Sequence, residues 1–168
     1  MSLSREGIPS EKQIDQVTPH DSVMNSGPVV IFECFEEIPC DPCFTACPTE
    51  AVAEFADIND IPEIDHSACT ACGLCIAACP GLAVFIVDMS LPGDNAVVRI
   101  PYELVPLPEQ GEQVIALDRS GKEVGTASVL RVQKGRGNAT PIVWLEVPKD
   151  VAMEVRHFRM ERSNGERE

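Results

Sequence analysis

Cys69-Thr70-Ala71-Cys72-Gly73-Leu74-Cys75-Ile76-Ala77-Ala78-Cys79-Pro80 places four thiols within eleven residues. A copy of its larger part stands 32 residues upstream, where Cys40, Cys43, Cys47, Pro48, Ala51 and Val52 anticipate Cys72, Cys75, Cys79, Pro80, Ala83 and Val84. Both halves read Cys-x-x-Cys-x-x-x-Cys-Pro-x-x-Ala-Val. One more Cys precedes each half, and here the repeat slips. Cys69 lies three residues before Cys72, whereas Cys34 lies six before Cys40, and the position equivalent to Cys34 is His66. Apolar runs bracket the array, Val29-Val30-Ile31-Phe32 before it and Ala83-Val84-Phe85-Ile86-Val87 after it, and both read as extended segments.

The rest of the 168-residue chain bounds what this array can serve. It holds 27 Asp plus Glu against 13 Lys plus Arg, a net charge of −14. Such a chain repels phosphate backbones and anionic bilayers, so nucleic-acid and membrane-surface binding are not expected. The longest apolar run, Leu82 to Val87, is far short of the roughly 20 residues that cross a bilayer, so no transmembrane segment is expected. The first residues show no apolar core of a signal peptide, so a cytoplasmic, reducing setting is expected, where Cys serves as metal ligand or catalyst more often than as half of a disulfide. The charge is uneven. Residues 34–91 hold ten acids and no Lys or Arg, whereas residues 92–168 hold 12 acids and 11 bases.

Three segments follow. Residues 1–27, with Pro9, Pro19, Gly7 and Gly27, read as an extended arm. Residues 28–91 carry the Cys array, with a short helix expected over 48–56 and an extended piece at 61–65. Residues 92–168 begin at the turn Pro92-Gly93-Asp94-Asn95 and read as a small antiparallel β domain, a barrel or sandwich. Val98, Ile100, Tyr102 and Leu104 alternate with other residues. Residues 114–117 and 124–132 form a hairpin about Asp118-Arg119-Ser120-Gly121, and strands are expected at 142–147 and 152–160.

The run Cys69 to Cys79-Pro80 has the spacing of bacterial ferredoxins, and residues 28–90 resemble the two-cluster bacterial-type ferredoxins. The resemblance extends to Glu63-Ile64-Asp65-His66-Ser67-Ala68 leading into the second Cys loop, and to Gly73, which lets backbone N–H groups approach sulfur. It implies an α+β ferredoxin-like fold with two [4Fe-4S] clusters, the fourth Cys of each run ligating the other cluster. One cluster then takes Cys34, Cys40, Cys43 and Cys79, and the other takes Cys69, Cys72, Cys75 and Cys47. The departure is the gap between Cys34 and Cys40, filled by Phe35-Glu36-Glu37-Ile38-Pro39. It reads as an enlarged loop, with a three-iron cluster or another fourth ligand as alternatives. Structural zinc needs four ligands in all and does not explain two such runs. A thioredoxin-type exchange site lacks its βαβ unit.

Other residues carry less. His66 reads as a surface-turn histidine beside the second loop, Gly135-Arg136-Gly137-Asn138 as a hairpin tip, Asn138-Ala139-Thr140 as a sequon without meaning in the cytoplasm, and Trp144 as a core or interface side chain. No Ser/His/Asp set, nucleotide fingerprint or paired carboxylates stand out, so the chain alone is not expected to catalyse a reaction. The arrangement of arm, two-cluster segment and β-rich segment is similar to the small ferredoxin-like subunits of FAD-dependent amine or amino-acid dehydrogenases of the proline or hydroxyproline type. That resemblance implies an iron–sulfur subunit of a hetero-oligomeric oxidoreductase. It would take single electrons from a flavin-containing dehydrogenase subunit, which carries the FAD or FMN, and pass them to an external acceptor. The alternative is a free, diffusible ferredoxin.

Overall fold

Successive strand side chains point to opposite faces, so the unbroken apolar runs at 29–32 and 84–87 require cover on both sides. The computed structural model, which describes residues 3–161 apart from 136 and 138, supplies that cover. Strand β1 (Pro28–Phe32) pairs antiparallel with β2 (Val84–Asp88), Val29 opposite Val87 and Ile31 opposite Phe85. Val29, Ile31, Phe85 and Val87 enter one hydrophobic core, whereas Val30, Phe32, Val84 and Ile86 enter a second.

Five more strands follow: β3 (Asn95–Pro101), β4 (Gln113–Leu117), β5 (Glu123–Gln133), β6 (Ile142–Pro148) and β7 (His157–Met160). All seven form one sheet in the order β1-β2-β3-β6-β5-β4-β7, antiparallel throughout. The turn about Leu91–Asp94 therefore joins neighbouring strands, with Val87 opposite Val98 and Ile86 opposite Arg99. The Cys-bearing segment and the β-rich segment share this sheet; no linker separates them.

The sheet is rolled. β1 and β7 are its edges, yet Glu33, which follows β1, accepts a hydrogen bond at 2.6 Å from Arg156, which precedes β7. Glu33 also accepts two from Arg119, at 2.5 and 2.9 Å. Tyr102, just beyond β3, stacks on Phe158 of β7 with ring centroids 4.6 Å apart. The first core, which includes Val98, Val114, Val129, Leu145 and Phe158, fills the inside of the roll. Side chains rather than a hydrogen-bonded ladder thus bring the two edges together.

Several local expectations change. The first residues form three short helices, α1 (Leu3–Glu6), α2 (Glu11–Val17) and α3 (Asp21–Met24), where an extended arm was expected. Ser10 and Gln13 cap α2 reciprocally, and Met24 is buried in the first core. No helix forms over 48–56: Glu50 has φ +55°, and the chain then runs beside residues 63–65, Ala53 N–H donating to Glu63 and Asp65 N–H to Ala51. Backbone pairing with the extended piece displaces the helix. The last strand begins only at His157, because Lys149–Val151 form a 3-10 turn. The turn read at Gly135-Arg136-Gly137-Asn138 falls partly outside the described residues, as does the sequon at Asn138.

Glu33, Arg119 and Arg156 are 7%, 16% and 4% exposed at the side chain, so this is a buried ion cluster. Burial acts to raise the Glu33 pKa, and the two guanidinium groups more than offset it, leaving the carboxyl below its ordinary range. Burial pulls Arg156 down to about 10, still charged at neutral pH. Removing one partner of such a set strands the others, at about 3–5 kcal/mol. Glu33→Ala is expected to destabilise the holoprotein by about that much, read as an earlier midpoint in denaturant; an unchanged midpoint would show that the rolled closure does not depend on this cluster. The sign with pH follows from the lowered pKa: the contribution of Glu33 is present above its ordinary value of 4.5 and is lost as pH falls through the lowered one.

Candidate metal centre

The Cys side chains are placed by short elements laid on the outer face of the roll. Cys34 leaves the end of β1, Cys43 lies in α4 (Pro42–Thr45), Cys75 lies in α5 (Leu74–Ala78), and Cys79 ends α5. Pro42 suits the first turn of α4, where its missing N–H costs nothing. Gly73 opens α5 at φ +83° in the left-handed region, and a Cβ there would meet Ile142 Cδ1 at 3.2 Å. The left-handed backbone favours glycine at this position, and any side chain there would have to displace the end of Ile142 slightly. The Val52–Ile64 bridge holds the connection between the two loops against the second core.

The eight thiols fall into two groups. Cys34, Cys40, Cys43 and Cys79 line one cavity, with Phe32, Ile38, Pro62 and Val84 among its walls. Cys47, Cys69, Cys72 and Cys75 line the other, with Val30, Val52, Ile64 and Gly73. Each group thus takes three thiols from one repeat and one from the other. No thiol is disulfide-bonded, and only Cys72 is solvent-exposed.

The electrostatics divide the same way. Burial raises the Cys34 pKa, and Cys79 and Cys40 raise it further. Burial pushes Cys43 up to about 11, with Cys79 and Cys40 adding to it. In the second group burial pushes Cys75 up to about 12, with Cys69 and Cys72 contributing, and it raises Cys69, to which Cys47 and Cys72 add. Cys47 goes the other way. Burial raises it, but the N–H groups of Val52, Thr49 and Ala51 and the Thr49 hydroxyl, 3.7 Å from Sγ, together lower it. Backbone N–H groups also reach sulfur from Ala71 to Cys69 and from Ala83 to Cys79, both at 3.4 Å.

Four soft sulfurs that repel one another as thiolates, in a largely apolar wall with N–H donors nearby, fit a positively charged inorganic body bound by thiolate. Among the described residues no three or more His, Cys, Asp or Glu side chains are grouped to hold a single metal ion. Each group of four sulfurs lines a cavity. The donor set therefore fits an iron–sulfur cluster better than tetrahedral zinc, which draws its sulfurs to within about 2.3 Å of one ion.

His66 does not join either group. It is half-buried on a cavity of about 650 Å³ that Cys34 and Phe32 also line, beside the arm, and burial lowers its pKa while Asp65 opposes the shift. Thr49 sits by Cys47. Arg99 gave no signal in the sequence. It reaches the second Cys loop, donating from Nη1 to Ala71 O at 2.8 Å, while its guanidinium lies 3.8 Å from the centre of the Trp144 ring. Trp144 is accordingly a packing residue on this outer face, at the margin of the second core.

Residues 31–80 match the family described as the 4Fe-4S dicluster domain. Over 39 residues the chain is 46% identical to the thiosulfate reductase electron transfer subunit PhsB of Salmonella typhi, a stretch covering 23% of this chain and 19% of that protein. No solved structure matches the chain. No helix among the described residues is long and apolar enough to cross a membrane. Residues 31–80 are thus similar to a 4Fe-4S dicluster domain.

Gly73→Ala is expected to cost about 1–2 kcal/mol for the left-handed backbone alone and to lower iron retention. Gly81→Ala, whose added Cβ would meet nothing within 4 Å, is expected to leave iron content and melting temperature near wild type. Equal iron loss in the two variants would show that the geometry at Gly73 does not matter.

Proposed function

We propose that the chain is the iron–sulfur electron-transfer subunit of a multi-subunit oxidoreductase. It holds two [4Fe-4S] clusters, one on Cys34, Cys40, Cys43 and Cys79 and one on Cys47, Cys69, Cys72 and Cys75, and relays single electrons from a flavin-containing dehydrogenase subunit to an external acceptor. The observation that carries the reading is the exchange of one thiol between the two repeats, which builds two four-sulfur sites from eight Cys and leaves none over. The likeness to an electron transfer subunit supports membership of a hetero-oligomer. Eight free thiols suit a reducing compartment such as the cytoplasm.

When bound, each cluster supplies a one-electron acceptor and donor. The protein's part is to hold and shield. Val30, Phe32, Val84 and Ile86 are almost fully buried and keep water from the rear of both sites. The N–H groups of Ala71 and Ala83 share charge on Cys69 and Cys79, which raises reduction potential. The enlarged loop after Cys34 presents Ile38, 46% exposed, near Ile58, 53% exposed, whose carbonyl accepts from Cys40 N–H. Glu36, Glu37, Asp41, Asp57 and Asp60 belong to the same two loops. An apolar centre with an acidic rim is the composition of a docking face, here for the donor subunit, whose matching surface is basic. The dehydrogenase of amine or amino-acid type is the donor this reading names.

Two measurements test it. Gentle anaerobic purification is expected to give an assembly with flavin absorbance and about eight iron per copy of this chain, the content of two four-iron clusters. A lone iron-loaded chain of 18.2 kDa would favour the diffusible carrier instead. For the ligands, Cys40→Ser and Cys79→Ser are expected to abolish one and the same EPR signal, and Cys47→Ser and Cys72→Ser the other. If instead the signals sort by repeat, Cys47 with Cys40 and Cys79 with Cys72, the exchange is refuted.

A further inference from the structure

Residues 34–91 contain no Lys or Arg, so any cation at the clusters must come from elsewhere in the fold. Register supplies one. Ile86 of β2 stands opposite Arg99 of β3, Arg99 opposite Trp144 of β6, and Trp144 opposite Arg131 of β5. This row crosses four strands on the outer face of the roll, where Ile86 belongs to the second core and Trp144 packs against it. Arg99 and Arg131 lie over the Trp144 ring, 3.8 and 5.3 Å from its centre, which offsets the cost of bringing two cations together. Arg99 Nη1 then donates to the carbonyl of Ala71, the residue before Cys72. Ala71 holds φ +49°, and its own N–H points at Cys69 sulfur.

The two sites differ in the charges beside them, with Asp88 partly offsetting Arg99. Glu36 and Asp60 line the cavity of Cys34, Cys40, Cys43 and Cys79. No acidic side chain lines the cavity of Cys47, Cys69, Cys72 and Cys75, and Arg99 is fixed to its loop. A guanidinium stays charged at any working pH, and positive charge beside a cluster favours the reduced form.

Resting on the two-cluster reading above, we propose that Arg99 is a potential-tuning residue that makes the Cys47, Cys69, Cys72 and Cys75 site the more easily reduced of the two. The direction of transfer within the chain follows. Electrons enter at the Cys34 side and collect at the Cys47 side, where Cys72 is exposed and offers the exit.

An EPR-monitored redox titration of the reconstituted chain tests this. Wild type is expected to show two waves, and Cys72→Ser is expected to remove the higher one. Arg99→Gln should lower that wave about tenfold in its equilibrium constant, 59 mV for one electron, and leave the other in place. Arg99→Lys keeps the charge and should hold the wave near its wild-type position. An unshifted wave in Arg99→Gln, or an equal fall in Arg99→Lys, would overturn the proposal by reducing Arg99 to a packing role. Should Arg99→Gln fail to retain iron, the wild-type assignment decides: if the higher wave is lost with Cys40→Ser instead of Cys72→Ser, the proposal fails. A wild type with a single wave and about four iron would instead overturn the two-cluster reading beneath it.

Discussion

The two-faced hairpin of β1 and β2 is the constraint on which the rest depends. Its strands are apolar at nearly every position, and alternate side chains go to opposite cores. One face closes the inside of the rolled sheet; the other forms the floor under both thiol groups. Neither core is complete without it, because β3 must pair with β2 for the roll to form and the Cys loops must pack on Val30, Phe32, Val84 and Ile86. The two parts of the chain therefore fold as neighbours on one sheet, and the charge contrast between them is a contrast between two sides of one structure. Further ties cross the same boundary: Thr140 N–H donates to Ala77 O of α5, and Ile142 packs where Gly73 lacks a side chain.

The grouping of thiols was expected from the resemblance to two-cluster ferredoxins, whose rule has a local geometric basis. Three Cys on one short loop must face one space, and the fourth, at the end of the following helix, faces another. That reasoning covers Cys69, Cys72, Cys75 and Cys79 and the copies Cys40, Cys43 and Cys47, but not Cys34, which stands six residues before Cys40 instead of three. Strands were expected from alternation at 98–104 and from apolar runs at 114–117 and 142–147, all local signals, and they stand at 95–101, 113–117 and 142–148. The continuity of the sheet was not legible. Pro92-Gly93-Asp94 reads equally as the edge of a domain or as the turn between two strands, and only the pairing of Val87 with Val98 decides between them. The helix assigned to 48–56 failed in the same way. The helix was sound locally, but backbone groups of Ala51 and Ala53 found partners at Asp65 and Glu63, and those bonds lie outside any local window.

Arg99 shows how far a functional residue can hide from periodicity. It stands between Val98 and Ile100, whose side chains fill the roll, so alternation assigns Arg99 to the opposite face, where a charge is ordinarily left to water. Only the packing of α5 and the second Cys loop on that face turns the position into the neighbour of a metal site. Glu33 is the converse case. It sits beside Cys34 in sequence, yet alternation turns it to the inside of the roll, toward Arg119 and Arg156. Adjacency in sequence puts a carboxylate next to a presumed ligand; the pleat turns it away.

A sheet of this kind also suits the task. Electron transfer requires that the ligands move little when charge arrives, and the thiol loops here are short segments clamped between a sheet buried on its other face and a second small core. The protein meets the cost of gathering eight Cys in a chain of net charge −14 by drawing its cations from the far side of the turn at Leu91–Asp94. Arg99 is carried on a strand whose position is fixed by seven register pairs with β6. A cation on a loop would average over many positions and be screened by water; one on a central strand holds its place against the site. Fusing the cluster loops to a β-rich segment of balanced charge thus gives the acidic half a fixed positive charge that it does not contain in its own sequence.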